Sequence, residues 1–369
     1  MTPCTIILPA HDEADYIGAC LASILDQDHT GPVEVIVTAN GCRDDTVGRA
    51  GAMAPTFADR GWLLRVEDLP RGGKIGALNH ADGCARPDGI RLYLDADIRM
   101  GRRLLSGIVA VLDVDMPRYA GGRLVVAPAQ SAVSRAYARF WQKLPFVARG
   151  VTGAGLFAVN AAGRARWGEF PQIISDDTFA RLQFTEAERF LVDEPYEWPL
   201  VEGFSPLVRV RRRQDQGVAE IARLFPDLPA RQGHVRPDRG ELLRLAAADP
   251  VGFAVYAAVA LAVALNASGR RGRPAILFFT SLAEGMFKLT QMVMALAPYG
   301  VCALMAWMTG KYGVSLLLPL LKVIGAVYLG CLLHVLGVYS SLLILLARLN
   351  PLHYFKSIVD AQAVAFTSS

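Results

Sequence analysis

No C-x-x-C pair occurs anywhere in this chain. Its six cysteines are scattered at positions 4, 20, 42, 84, 302 and 331, two of them inside apolar runs, so they read as reduced, structural thiols and not as a disulfide framework. Charge of one sign is barely in excess: 38 Lys and Arg stand against 34 Asp and Glu, a net +4. That excludes a general nucleic-acid surface and suits a protein lying against anionic lipid. The opening "MTPCTIILPA" lacks a basic region followed by an apolar core, so no cleaved signal is expected and the N-terminal half is expected in the cytoplasm. Internal repeats and low-complexity tracts are missing as well. Apolar residues are what the chain has in quantity, 53% of 369. A chain this long is large for one soluble domain, and this hydrophobic content is too high for two, so a membrane portion is implied.

The apolar pattern changes near Pro250. Before it, short β-rich runs alternate with amphipathic stretches: "TIILPA", a helical face of Ile17, Cys20, Leu21, Ile24 and Leu25, then "VEVIVTA", a helix near Thr46 to Ala54, "LLRV", a helix from about Ile75, and "IRLYLDAD". Such alternation predicts a doubly wound, largely parallel α/β sheet. After Pro250 come long apolar runs, Val251 to Leu265, about Met286 to Met308, Val314 to Leu336 and Leu336 to Leu349. They read as membrane helices or pieces of them, the first short for the ~20 residues a span needs. Arg270, Arg271 and Arg273 lie in the linker "NASGRRGRP", which the positive-inside rule puts on the cytoplasmic side.

Ligands of open α/β sheets sit at the carboxyl ends of the strands, and polar clusters fall at such ends here. "PAHDEAD" follows the first strand, "TANGCRDDT" the second and "DADI" the fourth. Asp95 and Asp97 either end a strand at the surface or converge on a cation. Lys74, beside the Gly-Gly turn of "RGGKIGALNHA" and with Asn79 in the helix that follows, either meets a phosphate at a helix start or is a solvated loop lysine. Four such clusters together favour a nucleotide pocket.

In order, "ILPAHDEADYIGACLASI", "VIVTANGCRDDT", "RGGKIGALNHA", "LYLDADI", "TGAGLFAVNAAG" and "IISDDTFARL" resemble the family-2 glycosyltransferases, nucleotide-sugar-dependent inverting enzymes of GT-A fold that often carry C-terminal membrane helices. The resemblance implies an α/β, GT-A nucleotide-diphospho-sugar transferase-like doubly wound domain followed by C-terminal membrane helices. It implies that Pro9, His11 and Glu13 line the nucleoside, that Asn40 and Asp44 stand where the family's acids contact the base, and that Lys74 faces base and phosphate. Asp97 is then a ligand of Mg²⁺ or Mn²⁺, and Asp95 holds the ribose or a metal-bound water; hard oxygens suit such a cation. Asp177 takes the position of the base, with Asp176 as cap or neighbouring acid, although either aspartate would also simply cap the helix "TFARLQF". Gly153 and Gly155 would form the acceptor-side wall, or only a turn. Asn40 replaces the usual acid, which leaves the nucleotide open. The Q-x-x-R-W element of processive synthases is missing, so transfer of one sugar to an acceptor, lipid-linked or not, is expected. Arg211, Arg212 and Arg213 occupy that region, as a diphosphate clamp or facing lipid headgroups.

From about Ile276 the chain is similar to something else. "FFTSLAEGMFKLTQMVMALAPYGVCALMAW", "LLPLLKVIGAVYLGCLLHVLGVYSSLLILL" and "NPLHYFKSIVDAQAVAFTSS" resemble central helices of dicarboxylate/glutamate:cation symporters, the closing "AFTSS" matching the start of their serine-rich hairpin. Such a fragment is expected not to transport, because the site of these transporters is built from two hairpins and an interrupted helix. The two resemblances meet between Asn266 and Ile276, as in a fused or frame-shifted reading frame. Three parts are thus expected: residues 1–245 a GT-A glycosyltransferase domain, 246–273 a membrane-associated helix and basic linker, and 274–369 transmembrane helices. The expected partners are a nucleotide-diphospho-sugar, an unknown acceptor and membrane lipid, and no nucleic acid, with the head at the cytoplasmic face of the inner membrane.

Overall fold

Seven consecutive buried residues, Cys4–Ala10, form strand β1, and a strand buried on both faces belongs in the middle of a helix-covered sheet. It pairs in parallel with β2 (Val33–Asn40) and β4 (Ile90–Leu94), and β2 pairs in parallel with β3 (Leu63–Leu69). The later strands are β5 (Arg99–Met100), β6 (Tyr119–Val126), β7 (Leu156–Val159) and β8 (Arg189–Trp198), and the eight-stranded order is β3-β2-β1-β4-β7-β6-β8-β5. The structure is a computed structural model and describes residues 2–233, 237–269, 272–313, 317–334, 337 and 340.

The parallel half matches the expected winding, whereas the other half is mixed. Strand β7 runs antiparallel to both β4 and β6, and β8 is parallel to β6 but antiparallel to β5. No local period distinguishes these directions, since side chains alternate faces along a strand whichever way its neighbour runs. The helices are α1 (Ile17–Leu25), α2 (Thr46–Gly51), α3 (Ala54–Asp59), α4 (Lys74–Cys84), α5 (Leu104–Leu112), α6 (Ala132–Trp141), α7 (Pro145–Ala148), α8 (Ala161–Arg164), α9 (Asp176–Leu182), α10 (Phe204–Leu224), α11 (Arg239–Ala248) and α12 (Pro250–Ala267). The helix expected near Thr46 to Ala54 is two short ones, with Pro55 in the first turn of α3, where its fixed φ suits a helix start.

Alternation along β1 divides the core. Ile6 and Leu8 join Ile17 and Leu21 of α1 and Leu104 and Ile108 of α5 on one face of the sheet. Ile7 joins Ile75 and Leu78 of α4 and Phe179 of α9 on the other. At roughly 1.5–3 kcal/mol for each large side chain buried, these two layers supply the main stabilising term and hold the carboxyl ends of β1, β2 and β4 in one row.

Helix α12 does not stand apart from this unit, which comprises Met1–Ile276. Asp249 caps it, accepting from Gly252 N at 2.9 Å, and receives both Nε and Nη2 of Arg139 on α6 at 2.6 and 2.9 Å. Tyr137 and Phe140 of α6 pack on Tyr256 at ring distances of 5.6 and 5.3 Å, and Val259 and Val263 are buried. The outward face of α12 stays apolar and open, Val251 being 62% and Leu261 51% exposed.

Helices α13 (Arg273–Tyr312) and α14 (Leu317–Leu333) follow. The 40 residues of α13, with Pro298 inside, span about 60 Å, twice the ~30 Å of a bilayer's hydrocarbon core. Among the described residues, two helices are long and apolar enough to cross a membrane, Pro250–Ala267 and Arg273–Lys311, with mean hydropathies of 1.8 and 1.6. Arg270, Arg271, the closing "AFTSS" and, apart from Gly337 and Ser340, the run Leu336 to Leu349 lie outside the described residues.

A β-carbon at Gly252 would come within 2.5 Å of Asp249 Oδ2 and 3.0 Å of the Ala136 carbonyl. Gly252→Val is therefore expected to cost about 1–3 kcal/mol by prising α12 from α6. Thermal melting of the detergent-solubilised chain followed by tryptophan fluorescence reads this, and an unchanged midpoint would refute the close docking.

Candidate active site

The loops after β1 and β2 lock together by hydrogen bonds. Asp12, at φ +55°, accepts from Arg43 N at 2.6 Å, Asp44 Oδ2 accepts from Ala14 N at 2.9 Å, and Thr46 Oγ1 accepts from Glu13 N at 2.8 Å. His11 places Nδ1 2.6 Å from the Asn40 carbonyl. Asn40 is buried: its amide donates to the Ala10 carbonyl at 2.7 Å and accepts from Gly73 N at 3.0 Å. Its side chain thus joins β1, β2 and the start of α4. Hydrogen bonds from Thr46 and Ala14 hold the Asp44 carboxyl below the usual range. Asp12, Cys42 and Asp44 bring their ligand atoms within 4.8 Å of one another, but both carboxylates there are engaged in bracing the loops.

Lys74 is the hub of the opposite side. Gly73, at φ +141°, turns the chain into α4 so that Lys74 is its first residue. Lys74 Nζ lies 2.9 Å from Asp95 Oδ1 and 3.3 Å from Asp176 Oδ1. Burial opposes its charge, yet Asp95, Asp176 and Asp177 outweigh that and hold the ammonium protonated well above the lysine range. The lysine side chain is 42% exposed, so the carboxylates, not dehydration, set its state.

Asp95 follows β4 directly and donates its N–H to the Gly155 carbonyl at 2.8 Å. Gly153 and Gly155 are both left-handed, at φ +75° and +72°; a β-carbon would meet the Tyr119 hydroxyl at Gly153, and Ile98 Cδ1 at 2.7 Å at Gly155. Side chains are excluded at both positions, so the glycine loop lies flat against the end of β4. Tyr196 steadies it by donating to the Ala154 carbonyl at 2.8 Å. Asp97, half-buried, is pushed up to about 6 by burial and by Asp95, and Glu13 to about 7 by burial and by Asp97, Asp95 and Asp44.

Across the cavity stands the start of α9. Ser175, not an aspartate, occupies the N-cap, with Asp176 and Asp177 in the first turn, so the capping alternative for these acids gives way to a first-turn placement. Asp177 Oδ1 accepts from Thr178 N at 2.7 Å. Burial and the repulsion of Asp176, offset in part by Lys74, push Asp177 up to about 6; burial also raises Asp176. Pro9, Lys74, Asp95, Gly153, Gly155, Asp176 and Asp177 line one cavity of about 220 Å³, and Arg213 reaches it from α10. Arg211 and Arg212 line a different groove, against α12. Successive helical residues are about 100° apart, so three consecutive arginines cannot share one target. His11, Glu13, Asn40, Asp44 and Asp97 are not among the residues that line the 220 Å³ cavity.

Residues 5–166 match the family model described as glycosyl transferase family 2, and residues 242–369 match that of the sodium:dicarboxylate symporter family. Residues 5–166, within a mixed α/β domain, are therefore similar to glycosyltransferase family 2, and the C-terminal region is symporter-like, with apolar helices that suggest membrane association. The second match begins at residue 242, so it takes in α11 and α12, which pack on the head. Within it the chain is 41% identical over 115 residues to the proton/glutamate-aspartate symporter of Bacillus subtilis (strain 168), covering 31% of this chain and 28% of that one. Among solved structures, the mannosyltransferase PcManGT from Pyrobaculum calidifontis, in complex with GDP-Man and Mn²⁺, is 22% identical with a TM-score of 0.47, over 76% of this chain and 80% of that one. S. aureus TarS 1–349 in complex with UDP is 15% identical with a TM-score of 0.42, over 60% and 65%.

Several residues that build the site carry no sequence signal of their own. Tyr196 and Thr46 act through single hydrogen bonds, and Val210 and Gln214 enter the cavity wall only because α10 crosses its mouth. Arg181 is a further case: it is buried under the Phe146 ring and joined to Gln232 at 2.9 Å.

Lys74→Met leaves Asp95 and Asp176 without their shared cation. Breaking an ion pair that is buried on one side and open on the other is expected to cost about 1–3 kcal/mol. Asp176 is already raised in the folded chain and rises further in the variant. A carboxyl raised on folding favours the folded state at low pH and loses that advantage as pH climbs through its folded pKa. The deficit of Lys74→Met should therefore be larger at pH 8 than at pH 5, and a pH-independent deficit in urea melts would contradict it.

Proposed function

We propose that the head moves one sugar, with inversion, from a nucleotide-diphospho-sugar to an acceptor hydroxyl at the membrane, with Asp177 as general base. The observation that carries this is the single cavity in which Asp95, at the end of β4, and Asp177, at the start of α9, face each other around Lys74. The match of residues 5–166 to a glycosyltransferase family supports it.

The steps follow from charge. Lys74 and Arg213 offer positive groups to a diphosphate on one side of the cavity. Asp177, held in one rotamer by Thr178 N–H, takes the proton of the acceptor hydroxyl as that oxygen attacks the sugar from the face opposite the leaving diphosphate. Its raised pKa brings its basicity closer to that of a working base at neutral pH. The charges of Asp97 and Asp95 add to burial in raising Glu13, and Asp95 adds to burial in raising Asp97; a Mg²⁺ or Mn²⁺ ion would relieve that repulsion, with Asp97 as the residue to hold it. Such an ion, when bound, would supply positive charge against the departing diphosphate. Asn40, committed to backbone on both sides, positions the loops. We further infer that the apolar C-terminal helices attach the chain to the inner membrane with the head in the cytoplasm, and that residues 242–369 serve attachment rather than transport, a reading favoured by the docking of α12 onto the head.

Asp177→Asn is expected to lower kcat by about a hundred- to ten-thousand-fold while the melting midpoint holds. Because the deprotonated form is the base and its pKa is about 6, native kcat should fall about tenfold per unit of acidification below that value. A flat profile down to pH 5 would remove Asp177 from this role.

The cation has a test without turnover. At a hundredfold excess over its dissociation constant, Mn²⁺ should stabilise the native chain by about 2.7 kcal/mol and leave Asp97→Asn unmoved. Equal thermal shifts in both proteins would place the ion elsewhere.

A further inference from the structure

Three cavities follow one another along α10. The donor cavity of about 220 Å³ shares Val210 and Gln214 with a narrow cleft between Trp141 and Trp198. That cleft in turn shares Tyr137 and Arg211 with a groove of about 470 Å³ between α10 and α12. The outer groove is two-sided. One wall is apolar, made by Val259, Ala260, Val263 and Ala264 of α12; the other carries Arg211, Arg212 and Asp215 of α10. Asp215 sits 3.2 Å from Arg211 Nε, so two guanidiniums face one carboxylate and a positive charge is left over. Arg212 is exposed.

A free polar anion would find Arg211 and Arg212 but gain nothing from the apolar wall, and a neutral lipid would gain only the wall. The groove is continuous with the outward apolar face of α12, a helix of 18 residues and membrane-type hydropathy. We propose that this groove seats a phosphate-bearing lipid as acceptor, with phosphate on Arg211 and Arg212 and acyl chain along α12, at the outer end of the row of cavities that runs along α10 to Asp177. The proposal rests on the transferase reading for the word acceptor, and on the groove alone for binding. It also gives separate roles to neighbouring arginines, Arg213 to the donor and Arg211 and Arg212 to the lipid.

Binding can be measured with no donor present. Trp141 and Trp198 line the cleft next to the groove, so a lipid with brominated chains will quench them on arrival. In the full chain carrying Trp307→Phe, in detergent micelles, the probes are brominated phosphatidylglycerol and brominated diacylglycerol. Phosphatidylglycerol should bind about tenfold more tightly than diacylglycerol, the worth of a charge-assisted phosphate contact. That preference should vanish in Arg211→Gln/Arg212→Gln and weaken in Arg212→Gln alone, which keeps the Arg211–Asp215 pair and guards against a folding defect. Glycerol phosphate at millimolar concentration should not compete. Equal affinity for the two lipids, an unchanged preference in the double variant, or displacement by glycerol phosphate would each overturn the proposal. Arginine-dependent binding combined with no transfer from any nucleotide-sugar would keep the lipid site and remove the transferase reading, so the two failures are distinct.

Discussion

Lys74 stands where three acids would otherwise face one another. Asp95 comes from the end of β4, and Asp176 and Asp177 come from the first turn of α9, more than 80 residues later. Without a cation between them their approach would be repulsive, and burial would raise that cost. With it, β4 and α9 can close on a shared cavity. The lysine is placed in turn by the left-handed turn at Gly73, whose N–H is held by Asn40, which itself ties the ends of β1 and β2. One ammonium therefore depends on two strand ends, and two acidic elements depend on the ammonium.

The same economy of contacts governs the glycine loop. Gly153 and Gly155 adopt left-handed backbone and admit no β-carbon, which lets the loop lie against Asp95 and Tyr119. A wall of bare backbone keeps the cavity open beside Asp177. The room in that cavity comes from the small residues of this loop.

Helix α12 joins two kinds of surface. Its inner face is fastened to α6 by Asp249, Arg139 and an aromatic cluster, while its outer face is apolar and open. An apolar helix docked this way forms one wall of the outer groove, the other wall being α10. Proximity of an apolar surface to the site is thus a property of the head itself. A chain whose C-terminal region matches a transporter family nevertheless gives α12, which lies within that region, to the packing of its head.

Strands β1, β2 and β4 and helices α1 and α4 were legible because burial on a fixed face writes a period of 2 or 3.6 into the residues themselves. The row of polar clusters at strand ends was legible for the same reason: once strands are located, their carboxyl ends are located too. The antiparallel half of the sheet was not, because strand direction leaves no trace in local periodicity. Nor was the use of each side chain. Asp44 and Asn40 look like ligand-facing groups in a polar loop, and their hydrogen-bond partners lie about 30 residues away. Three adjacent arginines read as one group, a diphosphate clamp or a row facing lipid headgroups, yet the helical rotation of α10 sends Arg213 to one cavity and Arg211 and Arg212 to another. Sequence alone determined the elements, their order and the chemical class of the loops, since these follow from composition and spacing along the chain. Tertiary structure decided which charges meet, because a contact between Lys74 and Asp176 is a fact about distance in space and is encoded in no neighbouring residue.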